Sequence, residues 1–189
     1  MDTHLITYVA MGIALSACCG FRVFVPMAGA SLAAYLQWFN VSADMQWLGS
    51  LPAIICFSTA AILEIAAYYI PFVDNLLDTI ATPLAVGAGT VLAASFLPVA
   101  EFDPMLKWIL AIIAGGGAAG TVQAGTGLLR LASSKTTAGM GNAVVATSEN
   151  AAAIGGTALS FVIPVTIAVM MVLVIGWVLV KIGKRFFGS

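Results

Sequence analysis

Charge is what this chain has least of. Only 8% of its 189 residues are Asp, Glu, Lys or Arg, against about a quarter in an ordinary soluble domain. Seven basic residues stand against eight acidic ones, so there is no electrostatic case for nucleic acid or for a polybasic membrane anchor. Histidine is nearly absent as well. With His4 alone and three cysteines, Cys18, Cys19 and Cys56, that lack CxxC spacing, no zinc set can be assembled. No GxSxG, HExxH or GxxxxGKS/T pattern occurs, which removes ordinary hydrolase, zinc-protease and P-loop chemistry.

What remains is apolar. Hydrophobic side chains make up 61% of the chain, mean hydropathy is +1.08 and there are nineteen glycines. This is the composition of a polytopic membrane protein, read as one integral membrane domain over residues 1–189. The cysteines fit as small apolar residues of the membrane core. Leu15-Ser16-Ala17-Cys18 looks like a lipoprotein cleavage site, but no Lys or Arg precedes the apolar run, so residues 5–36 are expected to be a retained membrane segment.

A helix needs roughly 20 apolar residues to cross the hydrocarbon core, and by that measure six spans are predicted, over residues 5–36, 51–70, 79–99, 105–131, 139–160 and 161–182. The first is long and holds Arg22 between Gly20 and Pro26; it is either one kinked span or two half-helices meeting near Gly20. Trp38 and Trp47 in the link that follows suit a membrane interface. Pro71 suits the first position of a new helix. The only turn candidates within 139–182 are Gly155-Gly156 and residues 160–164, which leaves open two spans or a long span with a re-entrant segment. A cytoplasmic N-terminus puts Arg130, Lys135, Lys181, Lys184 and Arg185 on the inner side, Lys107, Asp44, Glu101 and Asp103 on the outer side, and the C-terminus inside too. Recurrence of Gly20 and Gly120, Glu64 and Glu149, and Pro83 and Pro164 in one order suggests inverted three-span halves, 1–100 and 101–189. Gly116 and Gly120 have helix-packing spacing, and glycine-rich faces of this kind would also serve self-association.

The few charges are concentrated. In residues 64–82, Glu64, Tyr68, Pro71, Asp74, Asn75, Asp78, Thr79 and Thr82 fall within an arc of roughly 140° on a helical wheel. A second face joins Asn142, Glu149, Gly156 and Ser160 within about 40°, with Asn150 beside it. A charged side chain at membrane depth costs about 2.5 to 3.5 kcal/mol on insertion scales, so Arg22, Glu64 and Glu149 need compensation. Arg22 is expected to pair with Glu64 or Glu149. Beyond that it would either only hold the fold or serve as counter-ion to a ligand, with Glu64 carrying a proton.

The segments GFRVFVPMAGASLAA, EIAAYYIPFVDNLLDTIATP and GTVQAGTGLLRLASSKTTAGMGNAVVATSEN resemble the bacterial membrane proteins grouped as domain of unknown function family 4126. The resemblance runs over nearly the whole chain. It implies a compact integral membrane domain of the bacterial cell (inner) membrane and supplies no activity.

The expectation is therefore an all-α, multi-pass bundle that passes a small solute or ion, proton-coupled through Glu64. Its polar interior would hold Arg22, Glu64, Tyr68, Asp74, Asn75, Asp78, Gln123, Asn142, Glu149 and Asn150. Two alternatives stand beside it. One is a membrane-embedded lipid or diphosphate enzyme holding Mg²⁺ on Asp74 and Asp78; the other is a structural or assembly protein. No catalytic residue and no cofactor are predicted.

Overall fold

Helix starts in this chain are set by proline and by side-chain caps, because little else punctuates its apolar runs. The computed structural model describes residues 3–97, 103–137 and 140–187; for residues 3, 71, 72, 74, 75, 78 and 185–187 it describes the backbone alone. Eight helices follow: α1 (Thr3–Cys18), α2 (Phe24–Tyr35), α3 (Leu51–Ala67), α4 (Pro71–Phe96), α5 (Pro104–Leu110), α6 (Gly117–Thr137), α7 (Asn142–Val162) and α8 (Pro164–Phe187). Ser50 caps α3, its hydroxyl accepting from Ala53 N at 3.3 Å, and Asp103 caps α5 through Met105 N at 2.8 Å. Pro71 opens α4 as its spacing predicts, and Pro164 opens α8. A 3₁₀ turn, Ala43–Gly49, precedes α3, and a π-helical turn, Ala111–Gly116, joins α5 to α6 without a break in direction.

Three described stretches, Thr79–Phe96, Pro104–Thr137 and Pro164–Lys184, are long and apolar enough to cross a membrane. A fourth is reached if Ala43–Gly49 and Leu51–Ala67, bent by 62°, count as one span. The expected six spans are not confirmed among the described residues. The largest departure lies in residues 5–36, which form two short helices, α1 of 16 residues and α2 of 12.

These two helices make a hairpin. In α1, Gly12 packs on Ala93 and Phe96, Ser16 Oγ donates to Gly89 O at 2.7 Å, and Gly20 meets Ala119 and Val122. The chain thus descends α4 from Phe96 and runs along α6 in the same direction. A Cβ at Gly20 would lie 2.5 Å from Ala119 O, so only glycine permits this approach. After the break at residues 19–23, α2 turns back. Ser31 Oγ donates to Leu48 O, and just beyond α2 the Phe39 ring sits 5.1 Å from Phe96 and 5.3 Å from Phe161. Phe96 is therefore met twice, by α1 on its way in and by the chain leaving α2. Pro26 falls in the first turn of α2, where its missing N–H costs nothing, so it starts a helix instead of kinking one.

α1 starts on the Phe96 face, whereas α8 runs the same way as α6, Val178 packing on Gly125, and ends at the opposite face. The inverted three-span halves are not confirmed among the described residues. The second half begins with an unbroken run, Pro104–Thr137, where the first has two helices folded back. Of the expected stretch 139–182, the described part from Asn142 on is two helices, with the turn at Ile163.

Several glycines pack within the chain. Gly115 and Gly89 face each other across α4 and the π-helical turn so closely that a Cβ on either would strike the other's backbone, and Gly116 and Gly120 pack on Thr90 and Val86. Cys18 and Cys19 are buried, while Cys56 is exposed on α3. Glu101 lies outside the described residues.

A charged cluster at the hairpin tip

The break between α1 and α2 leaves backbone groups without helical partners, and polar side chains meet them there. Glu64, near the end of α3, reaches across to the start of α2: its Oε1 accepts from Val23 N at 2.8 Å and its Oε2 from Phe24 N at 2.9 Å. A carboxylate is suited to this position, because first-turn amides lack intrahelical acceptors and carry the positive end of the helix dipole. Arg22, projecting from the break, fills its donors. Nε donates to Asn150 Oδ1 at 2.6 Å, Nη1 to Phe21 O at 2.8 Å and Glu149 Oε2 at 2.7 Å, and Nη2 to Ala146 O at 3.2 Å.

The question left open for Arg22 thus resolves to Glu149, not Glu64. Glu149 is shared: Arg130 of α6 donates to it through Nε at 3.1 Å and through Nη2. Tyr68, at the end of α3, meets both guanidinium groups, with Arg22 Cζ 3.9 Å and Arg130 Cζ 4.2 Å from its ring centroid. Such stacked cations are attracted by the ring's electrons. Asn150 Nδ2 donates to Tyr69 OH at 3.1 Å, and that hydroxyl is 3.0 Å from Thr147 Oγ1. Arg22, Glu64, Tyr68, Arg130, Glu149 and Asn150 are all buried. Both guanidiniums pair with Glu149, and Glu64 accepts from two backbone amides, which offsets the cost of burying these groups.

Beside Glu64 lies a half-open cavity. It has a volume of about 280 Å³, lies between α3 and α4, and is lined by Val23, Phe24, Glu64, Tyr68, Leu63, Leu77, Ile80 and Leu84 among others. Leu63, Ile80 and Leu84 are exposed, so the cavity is open on the side that they line.

Of the residues expected in the polar interior, Arg22, Glu64, Tyr68, Glu149 and Asn150 come together here. Gln123 is buried on α6, on the face that carries Thr126 and Arg130. Asn142 sits apart: at the α6–α7 turn its Nδ2 donates to Ser134 Oγ at 3.0 Å. Asp74, Asn75 and Asp78 belong to the first two turns of α4, and their side chains lie outside the described residues. Among the described residues no group of His, Cys, Asp or Glu could hold a metal ion. Two members were missed. Arg130 was counted among the inner-side cations, although its spacing from Gln123 and Thr126 puts all three on one helical face; Tyr69 carried no signal beyond its place next to Tyr68.

The chain matches the domain of unknown function DUF4126 over residues 9–184. It belongs to this family. No curated protein and no solved structure matches it. The matched residues take in the whole DUF4126 cluster, from Arg22 in the hairpin tip to Asn150 in α7.

Proposed function

We propose that this DUF4126 protein passes a small solute or ion across a membrane through the polar region at the hairpin tip, with Glu64 taking up and releasing a proton. The observation that carries this reading is the pair of half-helices, α1 and α2, ending inside the bundle at a four-charge cluster beside a cavity. Irregular backbone at membrane depth is tolerated where protein buries it or where it lines a cavity, and discontinuous helices form many transporter sites. Glu64 is the member of the cluster that holds no guanidinium: its two bonds go to backbone amides and its side chain lines the cavity. Protonating it weakens both bonds and frees the start of α2, whereas Glu149 is pinned by two arginines.

The test is flux into liposomes containing wild type, Glu64→Gln or Arg22→Gln, across a screen of ions and small solutes. Expected are flux above empty liposomes for wild type, loss of its pH dependence in Glu64→Gln and loss of flux in Arg22→Gln. Equal, background-level flux in all three ends the reading.

A further inference from the structure

The cavity beside Glu64 has one charged group on its lining, and that group already occupies a site shaped for a carboxylate. We infer that the slot between α3 and α4 binds a small monocarboxylate with an apolar body, whose carboxylate replaces that of Glu64 on the Val23 and Phe24 amides while Glu64 takes up a proton. This rests on the proposed function and names its substrate class.

Three observations converge. First, the walls are Ala60, Leu63, Leu77, Ile80 and Leu84, so the ligand's body must be apolar, and its volume is bounded by the cavity's 280 Å³. Second, the amides of Val23 and Phe24 are held by a carboxylate from another helix, at 2.8 and 2.9 Å, while no side chain of α2's own N-cap serves them. The acceptor is thus a tethered group that a side-chain rotation can withdraw, and the residues that bear the amides line the same cavity. Third, the charge balance selects the sign of the ligand. Arg22 and Arg130 both pair with Glu149, so with Glu64 protonated the cluster carries one net positive charge. A cationic ligand would leave the cluster with a net positive charge; a carboxylate arriving as Glu64 is neutralised keeps it at zero.

The step balances. An acid RCOOH entering from the side gives its proton to Glu64, the O–H bond breaking on the ligand and forming on Glu64, and RCOO⁻ settles on the two amides. Starting from RCOO⁻, one proton comes from solution. The groups facing Glu64 are Cys19, Arg22 and the two amides from the hairpin, Glu149 from α7 and Tyr68 from its own helix, with Arg130 of α6 behind the Tyr68 ring. The described side chains that α4 adds to the cavity are apolar.

The test is calorimetric titration of the full-length, detergent-solubilised protein with butyrate, hexanoate and butylamine, in buffers of different ionisation enthalpy. Wild type is expected to bind the carboxylates with about one proton taken up per ligand and an affinity falling about tenfold per pH unit once Glu64 is ionised. Glu64→Gln should bind without proton uptake and with a flat pH profile. Ala67→Phe, which fills the cavity and leaves Glu64 on its amides, should lose binding; it decides the matter if Glu64→Gln fails to fold. The inference is overturned if no carboxylate binds, if binding takes up no proton, if Ala67→Phe binds as wild type does, or if butylamine binds in preference. Carboxylate binding in a protein with no flux would sink the transport reading and leave the site standing; flux of another solute without carboxylate binding would do the reverse.

Discussion

Lys107 and Arg22 are both 1% exposed, yet the chain treats the two buried cations differently. Lys107 extends its ammonium to the edge of the bundle. There Nζ donates to both Asp44 oxygens, at 2.7 and 2.8 Å, and to Ser42 Oγ at 3.0 Å, and the Asp44 side chain is 45% exposed. Arg22 has no such outlet. Its partners Glu149 and Asn150 are buried, and a second guanidinium shares the same carboxylate. A flexible alkyl stem lets lysine reach solvent from a buried start, whereas the rigid guanidinium fork suits an enclosed network in which every donor is fixed. The first pair fastens the 3₁₀ turn to α5; the second ties α1, α6 and α7 together at the hairpin tip.

The contrast breaks most sharply at Glu149. Glu149→Gln leaves two guanidiniums side by side with one carboxylate nearby, and losing one partner of a buried pair costs about 3 to 5 kcal/mol. Chemical denaturation in detergent should register a loss of that order; a change below 1 kcal/mol, by the same reckoning, would mean that the cluster contributes little to stability. Tyr68 is next. Tyr68→Leu removes the ring that both cations contact and should cost about 1 to 2 kcal/mol, while Tyr68→Phe keeps the ring and should cost less. Equal losses for the two would assign the effect to the hydroxyl.

The smallest effect belongs to the pair with one exposed partner. Asp44→Asn should cost about 1 kcal/mol, the upper end for exposed ion pairs, because Asp44 meets solvent while Lys107 is buried. Its pH dependence has a definite sign. Burial works against ionisation of Asp44, but the Lys107 ammonium and the Ser42 hydroxyl outweigh it and hold the carboxyl below its ordinary value of 3.8. A carboxyl lowered in the folded state stabilises fully above its unfolded value and loses that contribution as pH falls through the folded one. Acid titration below about pH 4 should therefore destabilise wild type slightly more than Asp44→Asn. Parallel curves would refute the pairing.

Much of this was legible in the residues. Composition alone determined an all-helical chain with apolar helices of membrane-crossing length, because 8% charge cannot clothe a soluble surface. Pro71 marked the start of α4, since proline suits a first turn. The cost of burial singled out Arg22, Glu64 and Glu149, and the three do sit in one region. The tertiary structure decided what spacing leaves free. Whether Gly20 and Pro26 bend one span or fold back a hairpin depends on the contact of Gly20 with Ala119 and Val122, more than ninety residues away in sequence. Whether Arg22 pairs with Glu64 or Glu149 depends on which acceptor α2's first amides claim, and they claim Glu64. Arg130 was invisible for the same reason: helical periodicity gives the face a side chain occupies, and only packing gives the partner across from it.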